Sequence, residues 1–186
     1  MTDYAQLLAD PNIKAFLALI KYTEGAGYQT LFGGEKFASF GDHPRRAITK
    51  TLGGKPITST AAGAYQFLSR TWDECAAACS LPDFSPASQD MAALFLIERR
   101  RALSAILEGD WKTALERCNR EWASLPGSPY GQPTKSLETC LSFLNANTRK
   151  EEAPAPTPFP LPNPEKPSWL LSLQQLFQRL FKPRHP

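Results

Sequence analysis

A run of alternating prolines near the carboxyl terminus limits how far any folded domain of this chain can extend. Residues 153–167 read "APAPTPFPLPNPEKP" and contain seven prolines. Proline fixes φ and lacks an amide hydrogen, so such a run interrupts helices and inner strands and favours an extended polyproline II spacer. The sequence therefore predicts a domain over residues 1–150, a linker over 151–167 and a separate terminal segment over 168–186.

The first of these parts is long enough to fold around a core of its own. A domain of about 150 residues buries roughly 70% of the surface of its unfolded chain, so it needs no disulfide or metal ion for stability. The chain is 42% hydrophobic and 21% charged, with a net charge of +3, which is ordinary for a globular protein. That charge suits an anionic polymer or surface but is no dense basic stripe. We expect a monomer without a nucleic-acid partner.

Neither the cysteines nor the amino terminus indicate a metal site or a membrane segment. The four cysteines, Cys75, Cys79, Cys118 and Cys140, form no CxxC pair and have no histidine near them in sequence. We expect them to pack in the core, with no metal and no cofactor. A disulfide between two of them remains an alternative. The start "MTDYAQLLADPN" does not resemble a secretory signal, and no stretch reaches the roughly 18 apolar residues of a membrane span. We therefore expect the protein to stay in the cytoplasm until something else releases it.

Helical spacing begins early in the chain. Asp10-Pro11 is a typical helix start, with Asp as the N-cap and Pro at the first helical position. Apolar residues then repeat at helical spacing until Gly25 and Gly27 end the helix: Ile13, Phe16, Leu17 and Ile20.

The rest of the first 150 residues combines further helices with one short β region. Residues 28–58 are rich in glycine and contain two β-type pieces, "YQTLF" and "KPITST", which predict a small antiparallel β lobe. Helical spacing returns from Ala64, and three more predicted helices cover residues 85–107, 110–124 and 134–147, with a loop at 124–133. This pattern predicts an α+β fold that is mostly helical.

A single carboxylate continues the apolar stripe of the first predicted helix. Positions 13, 17, 20 and 24 are separated by four, three and four residues, which places Glu24 in line with the buried side chains. Partial burial and the negative end of the helix dipole both raise the pKa of a carboxyl group there. A glutamic acid that stays protonated near neutral pH can act as a general acid on a glycosidic oxygen. The alternative is a frayed helix end with Glu24 in solvent.

Aromatic and polar side chains cluster in and just after the predicted β lobe. Rings stack on sugar faces and amides bind hydroxyl and acetamido groups, so the cluster is typical of sugar binding. It consists of Tyr28, Gln29, Phe32, Phe37, Phe40, His43, Tyr65 and Gln66. Core packing is the alternative for most of the rings, and a hydrogen-bonded loop residue is the alternative for His43. The basic run 99–101 indicates a solvated helix face.

Five segments, in this order over about residues 13–147, together resemble the lambda-type phage endolysins, which are lytic transglycosylases with a lysozyme-like fold. They are "KAFLALIKYTEGAGY", "LFGGEKFASFGDHPR", "STAAGAYQFLSRTWDE", "LPDFSPASQDMAALFLIERR" and "ERCNREWASLPGSPYGQ". The family's catalytic glutamate, in its "(S/T)EG" motif, matches Glu24. The resemblance implies a lysozyme-like domain with Glu24 at the floor of a cleft between two lobes.

The resemblance also implies an activity. The family cleaves the β-1,4 bond between N-acetylmuramic acid and N-acetylglucosamine in peptidoglycan and closes a 1,6-anhydro ring, after a holin opens the membrane. Glu24 would be both acid and base, and the "AYQ" and "YGQ" motifs would line the cleft and the loop over it. With the polar cluster, this gives seven candidates for binding the glycan strand: Tyr65, Gln66, Tyr130, Gln132, His43, Phe32 and Gln29.

Two departures from the family leave the product open. The segment between Glu24 and "LFGG" is shorter than in the lambda member, and Gln29 stands where that member has Asp, so a second carboxylate is absent there. Asp42 is a candidate substitute for it, in a different place in the sequence. A hydrolysing muramidase therefore remains an alternative to the transglycosylase. The remaining alternative is a non-catalytic peptidoglycan-binding virion module that keeps the cleft.

The terminal segment lies outside the resemblance and reads as a basic amphipathic helix over about 168–182. No acid follows Glu165, and one stripe is apolar: Trp169, Leu173, Leu176, Phe177, Leu180 and Phe181. Such a helix can lie on an anionic membrane surface, dock on a partner protein or fold back on the domain. The aromatic positions and the lack of acids favour the membrane surface.

Deletion of residues 151–186 tests the membrane hypothesis. We expect the shortened protein to digest isolated peptidoglycan as fast as the full chain and to lyse whole cells more slowly, because only the second task needs the apolar stripe. Turbidity of both suspensions is the measurement. Equal lysis of whole cells by the two forms would contradict the hypothesis.

Overall fold

The computed structural model describes residues 4–151, and within this range seven helices and one β-hairpin follow each other along the chain. The predicted linker after its first residue, and the predicted terminal helix, lie outside these residues. The elements in order are α1 (Tyr4–Ala9), α2 (Pro11–Glu24), β1 (Ile48–Leu52), β2 (Lys55–Ser59), α3 (Ser69–Cys79), α4 (Pro86–Arg99), α5 (Leu103–Leu107), α6 (Trp111–Cys118) and α7 (Leu137–Glu151). The predicted mostly helical plan with a small antiparallel sheet is confirmed.

The helix α2 begins and ends where the sequence predicts. The Asp10 carboxylate accepts hydrogen bonds from the backbone amides of Asn12 and Ile13, and Pro11 is the first helical residue. Gly25 ends the helix with φ +62°, the left-handed conformation that glycine adopts at little cost. The predicted apolar stripe of α2 is buried in the core.

The sheet is smaller than predicted. β1 and β2 pair antiparallel from Ile48 opposite Ser59 to Leu52 opposite Lys55, which confirms "KPITST" as a strand. The piece "YQTLF" forms no strand, and that prediction was wrong. Its amides are shared between different partners instead: Leu31 N donates to Glu35 O, and Phe32 N donates to Ala61 O. Each of these pairings involves too few residues to form a β-ladder.

Three helix boundaries also differ from prediction. α3 begins at Ser69 rather than near Ala64, because residues 62–67 form a tight turn in which Gln66 has φ +48°. The predicted helix over 85–107 is two helices, since Arg101 has φ +56° and redirects the chain between α4 and α5. The predicted helix over 110–124 stops at Cys118, and α1 was not predicted.

The four cysteines are free, and three of them are buried. Residues 4–151 hold no cluster of side chains suited to a metal ion. Within the same range, none of the helices combines the length and apolarity needed to cross a bilayer.

A buried glutamine connects the loops that surround the core. The fully buried carboxamide of Gln89, in α4, donates to the carbonyl oxygens of Tyr28 and Phe84 and accepts from the amide of Ala64. Gly63, with φ +80°, lies directly against it, and a Cβ at this position would be 2.3 Å from Gln89 Oε1. Glycine is favoured here on two grounds, because this backbone conformation is strained for any other residue and the space leaves no room for a Cβ.

Substitution of Gly63 by alanine tests this close approach. We expect Gly63→Ala to lower the free energy of unfolding by about 3 kcal/mol, from backbone strain and overpacking together. Gly54→Ala is the matched control, because Gly54 has φ +79° and no atom near its Cβ position; it should cost about 1 kcal/mol. Urea denaturation measures both, and equal losses would contradict the packing argument.

Candidate active site

A cavity of about 470 Å³ opens beside the carboxyl end of α2, within the usual size of a ligand site. Its wall is built from residues far apart in sequence. They belong to the end of α2 and the loop after it, the end of β2, the turn before α3 and the first turn of α3, the end of α4, and the irregular segment after α6. The lining residues are Glu24, Phe32, Ser59, Ala61, Tyr65, Gln66, Leu68, Thr71, Arg100, Arg120, Glu121, Trp122, Ala123, Tyr130 and Gln132.

Glu24 is the last residue of α2 and is partly buried in this wall. The Ser124 hydroxyl donates to Glu24 Oε1 at 2.6 Å and lies 2.9 Å from Thr23 Oγ1. Thr23 in turn donates to the carbonyl oxygen of Ile20, one turn earlier in the helix. The carboxyl group is therefore held at one oxygen by the irregular segment after α6.

The surroundings of Glu24 favour its protonated form. Burial raises the pKa of the carboxyl group, and the hydrogen bonds from Ser124 act in the opposite direction without cancelling the rise. The position at the carboxyl end of α2 adds to the rise, because the helix dipole is negative there. A carboxyl group in this state can deliver a proton to a bound molecule and take one back.

Five of the seven candidate binding residues lie in the same cavity as Glu24: Phe32, Tyr65, Gln66, Tyr130 and Gln132. Tyr130 is 56% exposed and its hydroxyl donates to the carbonyl oxygen of Arg120, so its ring stands at the rim. Ring faces at a rim are suited to stacking against a sugar.

Tyr65 and Gln66 are held by polar contacts at the back of the cavity wall. The Tyr65 hydroxyl donates to Asp90 Oδ1 at 2.5 Å, and the side chain is almost fully buried. The Gln66 side-chain amide donates to the carbonyl oxygens of Thr30 and Gly63. These two residues shape the wall, and the Tyr65 hydroxyl is already used inside the protein.

The structure does not bring His43 and Gln29 to the cavity. His43 is only 3% exposed, its Nε2 lies 2.9 Å from the Phe67 carbonyl oxygen, and its Nδ1 accepts from the Arg45 amide. Burial lowers the pKa of this imidazole, so the neutral ring acts as a loop anchor. Gln29 is exposed and donates to the Phe37 carbonyl oxygen.

Asp42 does not face the cavity either. Its carboxylate binds the Arg45 guanidinium and accepts from the Trp72 indole. The carboxylate proposed from the sequence as a substitute second acid therefore lies elsewhere in the fold.

Sequence reasoning missed a second carboxylate in the cavity, that of Glu121. Arg99 binds one of its oxygens at 2.8 Å and Arg100 binds the other at 2.7 Å, and the Glu121 side chain is only 8% exposed. The prediction of a solvated helix face over residues 99–101 was wrong for Arg100, which lies past the end of α4 and lines the cavity. No local pattern signals this contact, because its partners are more than twenty residues apart.

Comparison with known proteins identifies the family of this chain. The sequence profile of the endolysin family matches residues 14–149. The endolysin of Escherichia phage lambda is 46% identical over 129 residues, which cover 64% of this chain and 80% of that protein. The endolysin of Escherichia phage P2 is 39% identical over 147 residues, which cover 70% of this chain and 89% of that protein.

Solved structures show the same fold. Bacteriophage lambda lysozyme complexed with a chitohexasaccharide superimposes with a TM-score of 0.69 at 38% identity, covering 74% of this chain and 94% of that one. Lysozyme from bacteriophage lambda also matches, with a TM-score of 0.63 at 39% identity, over 75% and 93% of the two chains. The fold is thus that of a phage lysozyme. The chain belongs to the endolysin family, of the phage lambda and P2 type, whose members degrade peptidoglycan.

Replacement of Glu24 by glutamine tests the raised pKa through stability. A carboxyl group whose folded pKa exceeds its ordinary value of 4.5 binds its proton more tightly in the folded state. Its contribution to stability is therefore complete at about pH 4 and is lost as the pH rises through the folded pKa. We expect Glu24→Gln, which cannot ionise, to be more stable than the wild type at about pH 8 and nearly equal to it at about pH 4. Urea denaturation across this range is the measurement, and a pH-independent difference would contradict the assignment.

Proposed function

We propose that this endolysin cleaves the β-1,4 bond between N-acetylmuramic acid and N-acetylglucosamine with Glu24 as its acid and base. The observation that carries the proposal is the Glu24 carboxyl group, whose pKa burial raises, at a cavity wall lined by aromatic and amide side chains. The complex of the lambda lysozyme with a chitohexasaccharide supports a sugar chain as the ligand.

The reaction divides into two proton transfers at the same carboxyl group. Glu24 first gives its proton to the glycosidic oxygen, and the bond from that oxygen to C1 of the muramic acid breaks. The acetamido carbonyl oxygen of the same sugar then stabilises C1 as a substrate-assisted intermediate. The ionised Glu24 finally takes the proton of the C6 hydroxyl, whose oxygen bonds to C1 and closes the 1,6-anhydro ring. No water is consumed.

The state of Glu121 supports this one-carboxylate mechanism over a paired one. A hydrolysing glycosidase usually places two carboxylates beside the scissile bond, one as the acid and one as the base or nucleophile. The second carboxylate in this cavity already has both oxygens bound by arginine side chains. It is thereby less available to activate a water, which favours the transglycosylase over the hydrolysing muramidase.

Digestion of purified peptidoglycan by wild type and Glu24→Gln tests the proposal. Because the amide cannot donate an acidic proton, we expect the release of soluble muropeptides to fall at least about 100-fold. Glu35→Gln is the matched control, since Glu35 is an exposed carboxylate that pairs with Arg46 and Lys50 and does not line the cavity; its activity should equal that of the wild type.

Two results would overturn the proposal. If Glu24→Gln retains activity within a few-fold of the wild type, Glu24 is not the acid. If the wild type itself releases no muropeptide under conditions in which a known lysozyme does, the protein is a peptidoglycan-binding module.

A further inference from the structure

Glu121 connects two parts of the cavity wall, the end of α4 and the segment after α6. Its carboxylate is held from one side by Arg99, the last residue of α4, and by Arg100, which follows it. Charge-assisted hydrogen bonds of this kind are shorter and stronger than neutral ones. The Glu121 side chain is buried, whereas the two arginine side chains are partly exposed to solvent. Arg99 also binds the exposed Glu74, at 3.2 Å.

Ser124 lies three residues after Glu121, in a segment without regular structure. Glu121 N and Trp122 N both donate to the carbonyl oxygen of Cys118, the last residue of α6, and Leu125 N donates to Trp122 O. The Trp122 indole donates to the Tyr65 carbonyl oxygen. No helix or strand fixes this turn. These backbone bonds, a further one from Lys135 N to Ser124 O, and the side-chain anchors of Glu121 and Trp122 together hold the Ser124 hydroxyl in place.

We propose that Glu121 is a positioning residue of the active site: bound between Arg99 and Arg100, it fixes the 121–124 turn so that the Ser124 hydroxyl stays on the Glu24 carboxyl group. The inference rests on the proposed function, in which Glu24 is the proton donor. It adds a connection from the end of α4 to the reacting carboxyl group. This connection runs along the backbone of the 121–124 turn and does not cross the cavity.

The proposal predicts the direction in which loss of Glu121 shifts the titration of Glu24. The hydrogen bonds from Ser124 lower the pKa of Glu24, so a turn that loosens its hold on Ser124 raises it. Direct electrostatics act in the opposite direction, because removing a negative charge from the cavity favours the ionised form of Glu24. The other ionisable groups facing the cavity are Tyr65, Arg100, Arg120 and Tyr130, and all of them are kept in the variants below.

The pH dependence of kcat/KM on purified peptidoglycan, with carboxyl titration of Glu24 by ¹³C NMR, tests the proposal. Activity needs protonated Glu24, so the alkaline limb of the profile reports its pKa. We expect Ser124→Ala to move this limb upward by roughly one pH unit. Glu121→Gln should move it upward by less. The double variant should show no upward shift beyond that of Ser124→Ala alone, since Glu121 acts through Ser124 and only its direct charge effect, which lowers the pKa of Glu24, remains in that background.

Two further variants make the test specific. Glu74→Gln removes the other carboxylate from Arg99 without touching the turn, and its profile should equal that of the wild type. Glu121→Asp keeps the charge and shortens the reach, so it should also move the limb upward; it replaces Glu121→Gln if that variant fails to fold by circular dichroism.

A downward or absent shift in Glu121→Gln, or an upward shift that Glu121→Gln still produces in the Ser124→Ala background, would overturn the positioning role. The proposed function fails separately, if the wild type releases no muropeptide or Glu24→Gln stays active. The NMR titration measures the pKa of Glu24 whether or not the protein is active, so the two failures can be told apart.

Discussion

The carboxamide of Gln89 satisfies three backbone groups from three separate segments, and the shape of the cavity depends on it. These groups are the Tyr28 carbonyl before the β-hairpin, the Ala64 amide before α3 and the Phe84 carbonyl before α4. Buried backbone groups without partners would each cost about 1–3 kcal/mol, so the three segments cannot separate independently. Gly63 makes this arrangement possible by leaving room for the amide. The same turn then carries Tyr65 and Gln66 into the cavity wall.

The reactive group follows from the geometry of a single amphipathic helix. The apolar stripe of α2 fixes which way its last turn faces, and Gly25 ends the helix with Glu24 at the edge of the core. Burial there destabilises the ionised carboxylate, which is a cost to the fold and an advantage to proton transfer. Ser124 limits that cost by binding one oxygen. The site is therefore a compromise between stability and reactivity.

Local chemistry made part of this structure predictable. The cap at Asp10, the stripe of α2 and the position of Glu24 all depend on residues within a few positions of each other, and each prediction was confirmed. The contacts of Ser124 and Glu121 could not be predicted, because they join residues 100 and more than twenty positions apart. The piece "YQTLF" has strand-like composition, but its amides bind two different segments. His43 lies in a segment that resembles the family, but packing against Phe84 buries it in the core, away from the cavity.

The chemical outcome depends on whether the C6 hydroxyl or a water molecule completes the reaction at C1. Mass spectrometry of muropeptides released in ¹⁸O-labelled water distinguishes the two directly. One proton-transferring carboxyl group without a free second carboxylate predicts 1,6-anhydro products, each lighter by one water than the reducing-end form and free of label. Reducing-end products that carry the label would contradict this mechanism and would identify the protein as a hydrolysing muramidase.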